Sequence, residues 1–222
     1  MRLALFDLDH TLIPLDSDHA WGEFTVALGW RDAQGFAKAN DGFYADYKAG
    51  MLDIHRYVRF AIEAVRERGL AAAQKAHDRF MHDVIGPALR EPARALLRRH
   101  QAAGDTVVIV TATNEFVTRP IARAFGVDEL IAIELERDAR GEPTGAIQGT
   151  PSFREGKIAR VEQWLAARGL DWSRVQHSTF YSDSINDLPL LEKVHEPVAT
   201  NPDARLRAIA LERGWRTLNL FE

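Results

Sequence analysis

The sequence predicts an α/β protein: a parallel sheet with helices on both faces and an all-helical segment inserted after the first strand. Three observations carry this. Apolar or β-branched runs at 3–6, 106–110, 176–181 and 196–199 alternate with helical periodicities, as successive βαβ units do. The run at 106–110 is almost continuously β-branched, the mark of a central strand covered on both sides. Between residues 18 and 86 no convincing strand pattern occurs, and apolar residues recur at helical spacing instead.

Residues 3–6 run directly into Asp7-Leu8-Asp9 and read as a buried strand that delivers two carboxylates to its C-terminal end. Isolated buried carboxylates are costly. The pair is therefore expected just past the strand, at the sheet edge where open α/β proteins bind ligands. Helical patterning follows. Trp21, Phe24, Leu28 and Trp30 fall near one helical face, which assigns both tryptophans to packing. Ile54, Tyr57, Val58, Ala61, Ile62 and Val65 make a second stripe with Asp53 as its N-cap. Residues 71–84 are a third candidate helix, and Gly69 and Gly86-Pro87 punctuate the ends. The alternating pattern then resumes. Residues 91–103 read as a helix ending at Gly104, 106–110 as the central strand, and Asn114 as the cap of a helix to about residue 125, with Pro120 a candidate kink. Residues 129–134 are a short strand, and 135–148, with Arg140-Gly141 and Gly145, a polar hairpin. A helix at 156–168, a strand at 176–181, a short helix at 185–191 and a strand at 196–199 complete the pattern, and Asn201-Pro202-Asp203 caps the last helix. The division expected is a core of 1–15 and 88–222 with a helical segment of 16–87 set into it.

Composition narrows the function. Hydrophobic residues make up 46% and charged residues 27% of the 222, ordinary for a globular chain. The net charge of −4 disfavours a nucleic-acid-binding surface. There are no cysteines, which excludes disulfides, thiolate metal sites and a cysteine nucleophile. The N-terminal stretch has no leader pattern, and no apolar window approaches the roughly 20 residues that cross a bilayer, so the expectation is a cytoplasmic protein with no membrane partner. Eight histidines without His-x-x-x-His spacing argue against zinc as a cofactor, and P-loop, Gly-x-Gly-x-x-Gly and Gly-x-Ser-x-Gly patterns are absent.

Four stretches fall at strand ends on one edge of the expected sheet: Asp7-x-Asp9-x-Thr11; Thr111-Ala112-Thr113 after the central strand; Lys157, opening a helix; and Asp183-Ser184-x-Asn186-Asp187. Together they put four carboxylates, Asp7, Asp9, Asp183 and Asp187, at one edge, where they would repel one another without a cation. A hard divalent ion with oxygen ligands, Mg²⁺ above all, resolves this. Lys157 and the Thr111 hydroxyl suit phosphate oxygens. A carboxylate can attack phosphorus, and a protonated partner can donate to the leaving alkoxide and later activate water.

These stretches resemble the four motifs of the haloacid dehalogenase superfamily of hydrolases, and within it the phosphoserine phosphatase branch, over nearly the whole chain. The resemblance implies a Rossmann-like core with a helical cap. It implies Asp7 as nucleophile and metal ligand, Asp9 as general acid/base and ligand through its carbonyl, Thr111 as a phosphate binder, and Lys157 as stabiliser of nucleophile and phosphate. It further implies Asp183 as a direct Mg²⁺ ligand, Asp187 as support for a ligated water, and Asn186 near the phosphate. The substrate implied is a small phosphate monoester. Asp16 stands where that branch holds the substrate's amine, and Arg59, in the cap, where it holds the carboxylate; Arg56 lies one helical turn earlier. The chain departs from the branch at Thr111-Ala112-Thr113, where Ser-Gly-Gly is usual and the backbone at Ala112 would approach the substrate, and at His10 and Pro14. The readings are thus a phosphoserine-like phosphatase, a histidinol-phosphate phosphatase, which needs Asp16 but not Arg59, and a phosphotransferase on the same fold.

Overall fold

The structure, a computed structural model, describes residues 1–221. Strand β1 (Arg2–Phe6) is followed by α1 (Ser17–Ala27), α2 (Ala33–Ala49), α3 (Ile54–Ala61), α4 (Glu63–Arg68) and α5 (Leu70–Phe80), which passes through a π-helical turn (Met81–Ile85) into the short α6 (Gly86–Ala88). Then come α7 (Glu91–Ala102), β2 (Thr106–Asn114), α8 (Glu115–Ala124), β3 (Glu129–Ile133), the hairpin β4 (Leu135–Arg137) and β5 (Pro143–Ile147), and α9 (Glu155–Ala166). The chain ends with β6 (His177–Ser182), α10 (Leu188–Lys193), β7 (Glu196–Thr200), α11 (Ala204–Arg213) and β8 (Arg216–Leu218).

Among the described residues the main sheet has the order β3-β2-β1-β6-β7-β8, and every pairing in it is parallel. The expected α/β class is borne out. Alternation along β1 explains the layers: Leu3 and Leu5 face one helical layer with Val161, Leu165 and Leu191, while Ala4 and Phe6 face the other with Leu97, Val117 and Ile121. Phe6 stacks on Tyr181 of β6, ring centroids 4.6 Å apart. The strand order reverses between β1 and β6, and the C-terminal ends of these two strands flank the crevice where such sheets bind ligands.

The five helices α1–α5 pack as one block on the Phe6 side, through Trp21, Val58, Ile62 and Phe80, in the same apolar cluster as Leu8, Leu12 and Phe116 of the sheet layer. Gly22 lets α1 approach α2 closely: a Cβ there would lie 2.3 Å from the Phe36 ring, which would have to move. The hairpin of β4 and β5 supports this block: Glu142 accepts the Leu70 N–H at 2.8 Å, starting α5 in place of a side-chain cap.

Several boundaries differ from expectation. The central strand continues past residue 110 to Asn114, so the second motif is part of the strand. The helix expected over 54–65 breaks at Ile62 into α3 and α4. Helix α8 runs through Pro120, which removes only one N–H from a ten-residue helix. The edge strand β8 was not foreseen, because its three half-polar residues carry no alternating apolar signal.

Candidate active site

Strand β1 ends at Phe6, and Asp7 follows with its N–H donated to the Tyr181 carbonyl at 2.9 Å, one last rung of the β1–β6 ladder. The chain then folds tightly back: Leu12 N–H bonds Leu8 C=O at 2.8 Å. His10 takes a left-handed backbone (φ 56°). Asn201, just past the end of β7 in the same sheet, fixes this turn, its side-chain amide donating to His10 C=O at 2.9 Å. The turn leaves Asp7 buried and Asp9 half-buried at the same edge.

Lys157 bridges two of the acids. Its ammonium donates to Asp7 Oδ1 at 2.8 Å and to Asp187 Oδ2 at 2.7 Å, with 2% of the side chain exposed. It is carried in the first turn of α9 by a tightly folded loop. Gly156 must be glycine there, because a Cβ would lie 2.1 Å from the Pro151 carbonyl oxygen. Arg154 in the same loop holds a positive φ of 53°, a strained geometry for a residue with a side chain. Burial alone would lower the Lys157 ammonium; the carboxylates of Asp187 and Asp7 outweigh it and raise it above its ordinary value. Asp187 is pushed up to about 6, by burial first, against the pull of Lys157, because it also faces Asp7. Ser182 donates to the same Asp187 oxygen at 2.7 Å.

On the other side, the Thr11 hydroxyl lies 3.4 Å from Asp7 Oδ2 and 3.1 Å from Asp183 Oδ1, and accepts the Asp183 N–H at 3.0 Å. Asp183 is held well above the usual carboxylate range by burial, then by Asp7 and Asp187. Asp9 is pushed up to about 8 by burial, then by Asp16 and, more weakly, Asp7.

At the end of β2 the pairing is irregular: the strand advances from Val110 to Asn114 while β3 advances only from Ile131 to Ile133. Bulges of this kind re-aim side chains. Here Thr113 N–H turns back onto Thr111 Oγ1 (3.1 Å), and the Thr113 hydroxyl reaches Asp9 Oδ2 at 2.7 Å. Ala112, between them, is half-buried. Thr111 is buried, and its carbonyl is fixed by the Ser152 hydroxyl.

From the helical block, Asp16 caps α1, accepting the His19 N–H at 2.9 Å. Asp18 is buried in the first turn. One of its oxygens accepts from the Asn114 amide at 2.8 Å. The other is buried without a hydrogen bond among the described residues. Burial, then Asp16 and Asp9, raise Asp18 well above its ordinary value. The Tyr57 phenol of α3 faces the same three acids and is itself raised, by burial first. Tyr47 of α2 reaches the last motif, its hydroxyl 2.7 Å from Ser184 Oγ, with Asn186 beside it.

The structure therefore brings Asp7, Asp9, Thr111, Lys157, Asp183, Asn186 and Asp187 to one sheet edge with Asp16 beside them. It does not bring Arg59 there. Arg59 is exposed and lines a groove between α2 and α3 with Lys38, Asp46, Arg56 and Glu63. The cause is rotational: Tyr57 takes the inward face of α3, and a residue two positions on points elsewhere. Sequence reasoning passed over Asp18, Tyr57 and Tyr47. The signal for Asp18 was present in Asp16-Ser17-Asp18, but an acid in a first helical turn is ordinary.

The donor set suits a hard cation only in part. Among the described residues no three His, Asp or Glu side chains converge on one point. Asp7 and Asp183, which share the Thr11 hydroxyl, offer two carboxylates. That fits an ion such as Mg²⁺, which is held by one or two carboxylates and keeps waters and substrate oxygens as its other ligands.

The family model described as haloacid dehalogenase-like hydrolase matches residues 4–192. A histidinol-phosphatase of Neisseria meningitidis is 44% identical over 218 residues, 98% of each chain. The phosphoserine phosphatase SerB1 of Mycobacterium tuberculosis is 33% identical, over 96% of this chain and 68% of that one. A crystal structure of a protein of unknown function from Bordetella pertussis superposes with a TM-score of 0.93 at 49% identity, covering 99% of both chains. A substrate-bound phosphoserine phosphatase shares the fold, with a TM-score of 0.68 at 17% identity over 98% and 92% of the two chains. Among the described residues no helix is long and apolar enough to cross a membrane. With these motifs at one sheet edge and phosphatases on either side of it in sequence, the chain belongs to the haloacid dehalogenase-like hydrolases and is a phosphoric monoester hydrolase of the phosphoserine phosphatase-like branch.

Proposed function

We propose a Mg²⁺-dependent phosphomonoesterase that works through an aspartyl-phosphate on Asp7 and takes a small phosphate ester carrying a cationic nitrogen, histidinol phosphate ahead of phosphoserine. The observation that carries the chemistry is the Lys157 bridge, which holds one Asp7 oxygen at 2.8 Å and orients the carboxylate toward the crevice. In the first half-reaction an Asp7 oxygen attacks phosphorus, the ester P–O bond breaks, and Asp9 gives its proton to the departing alkoxide. In the second, Asp9 takes a proton from water as the water oxygen attacks phosphorus, and the P–O bond to Asp7 breaks. Asp9 suits the first half because a carboxyl pushed up to about 8 still carries a proton near neutrality, and having given that proton to the alkoxide it is the base of the second. Lys157 and the Thr111 hydroxyl neutralise and orient the phosphoryl oxygens. Asp7, Asp183 and the Asp9 carbonyl would hold the cation, which when bound offsets charge on the phosphoryl group.

Residues 16–87 are read as the cap over this site, supported by the contact of Tyr47 with Ser184. The substrate follows from charge. Asp16 lies beside Asp9 and Asp18 under the block, and its carboxylate favours an ammonium or imidazolium, while Asp9 and Asp18 are held toward their protonated forms. Arg59, the cation that a carboxylate-bearing substrate would need, is exposed in the groove between α2 and α3. The full-length similarity to a histidinol-phosphatase agrees with this choice. The test is phosphate release with Mg²⁺ from histidinol phosphate, L-phosphoserine, phosphoethanolamine and a sugar phosphate, with Asp7→Asn as control. Histidinol phosphate is expected to be used best and Asp7→Asn to be inert. Full turnover by Asp7→Asn would overturn the mechanism, and a preference for the sugar phosphate would overturn the substrate.

A further inference from the structure

We propose that Thr113 is the positioning residue of the proton donor: its hydroxyl, 2.7 Å from Asp9 Oδ2, fixes the Asp9 carboxyl so that its proton meets the leaving oxygen. The inference rests on the reading of Asp9 as general acid. Its own observations are geometric. Asp9 is half-buried at the tip of a tight turn and would rotate about its side-chain torsions if held at one oxygen only. Ser17 N–H holds Oδ1 at 3.1 Å from the first turn of α1, and Thr113 holds Oδ2 from the opposite side. The two donors come from different parts of the chain, so together they define the plane of the carboxyl.

Thr113 reaches Asp9 because of the irregularity in β2. An unbroken ladder past Val110 would advance β2 and β3 in step, whereas β2 gains extra length before Asn114. The backbone folds locally onto Thr111, and Asn114, anchored to Asp18, ends the stretch. A glycine at 113 could adopt the same path but would leave Asp9 Oδ2 without this donor. As the ester P–O bond breaks, the proton leaves Asp9 for the alkoxide and Asp9 becomes a carboxylate. A hydroxyl donating to that carboxylate favours the charged form and so assists the transfer. When water later returns the proton, the same contact keeps Asp9 in place for the next turnover.

The experiment compares kcat/KM for an alkyl ester, histidinol phosphate, with that for 4-nitrophenyl phosphate, whose phenolate leaves without protonation. Because kcat/KM reports events through leaving-group departure, the alkyl-to-aryl ratio isolates the proton donor. Thr113→Val is expected to lower that ratio about tenfold or more, within the range that general acids contribute. Thr113→Ser is expected to restore most of it, and circular dichroism of both variants controls for folding. Asp9→Asn is run alongside. If Asp9→Asn collapses the ratio and Thr113→Val leaves it unchanged, the role given to Thr113 is wrong. An unchanged ratio in Asp9→Asn would overturn the acid assignment on which it rests. Failure of the serine to rescue would mark Thr113 as a packing residue and overturn the proposal.

Discussion

The Tyr47 hydroxyl lies 2.7 Å from Ser184 Oγ, so the second inserted helix touches the loop that carries Asp183, Asn186 and Asp187. Burial holds the Tyr47 phenol above its ordinary value, and the group therefore stays protonated throughout the working range. Ser184 in turn accepts the Asn186 N–H at 3.2 Å, linking the contact to the turn that presents Asp187. Tyr47→Phe removes one hydrogen bond worth about 1 kcal/mol and keeps the ring. A fall in kcat/KM of about fivefold is expected, with little change in melting temperature. An unchanged kcat/KM would mean the contact does not help seat the block over the site.

His77 gives a pH dependence of stability separate from catalysis. It is buried among Trp21, Phe80 and Phe116, and burial lowers it from 6.5 to about 4. The unfolded chain therefore binds a proton at His77 between pH 6.5 and 4 that the folded chain does not. Stability from this group is full above pH 6.5 and is lost as pH falls toward 4, by an amount of the order of 3 kcal/mol. His77→Phe removes the titration. Denaturant unfolding at pH 7.5 and 4.5 should show the wild type losing about 2–3 kcal/mol relative to the variant. A gap that does not move with pH would show that His77 does not titrate on unfolding.

Asp183 shares the Thr11 hydroxyl with Asp7 and is raised by burial, Asp7 and Asp187, so a bound cation should relieve the site and stabilise the fold. Mg²⁺ at about one hundred times its dissociation constant adds roughly 2.7 kcal/mol. Thermal unfolding is expected to shift upward with Mg²⁺ in the wild type and not in Asp183→Asn, and chelation should abolish phosphate release. An equal shift in both proteins would place the ion elsewhere.

How much of this was legible in the sequence depends on the kind of signal. Strands β1 and β2 announce themselves because both of their faces are buried, and the motif acids stand at strand ends where a core segment has no other use for them. The Lys157 bridge follows from a strand-end acid and a helix-start lysine, although the loop that makes it, with Gly156 against Pro151, does not. Thr113 was visible as a departure, but its contact with Asp9 arises from the irregular pairing of β2 with β3, a tertiary feature without local pattern. Arg59 lies on the exposed side of α3 for a rotational reason. An offset from a Gly-x-Leu turn places a residue along a helix and leaves its face undetermined, and Tyr57 holds the inward face.

That same rotation separates the two substrates. If Asp16 selects the cation and Arg59 plays no part, Arg59→Ala should leave kcat/KM for histidinol phosphate within about twofold of the wild type. Asp16→Ala should lower it by about tenfold, the order of one lost charge-assisted contact. Because Asp16 also caps α1 through His19 N–H, Asp16→Asn is the better probe of charge: asparagine keeps the cap and removes the anion. 4-Nitrophenyl phosphate, which has no cationic nitrogen, serves as reference. A loss on histidinol phosphate that spares the aryl ester assigns Asp16 to the substrate's nitrogen, whereas an equal loss on both assigns it to the entry of α1. A large loss in Arg59→Ala on phosphoserine alone would restore the carboxylate-binding role and reverse the order of substrates proposed above.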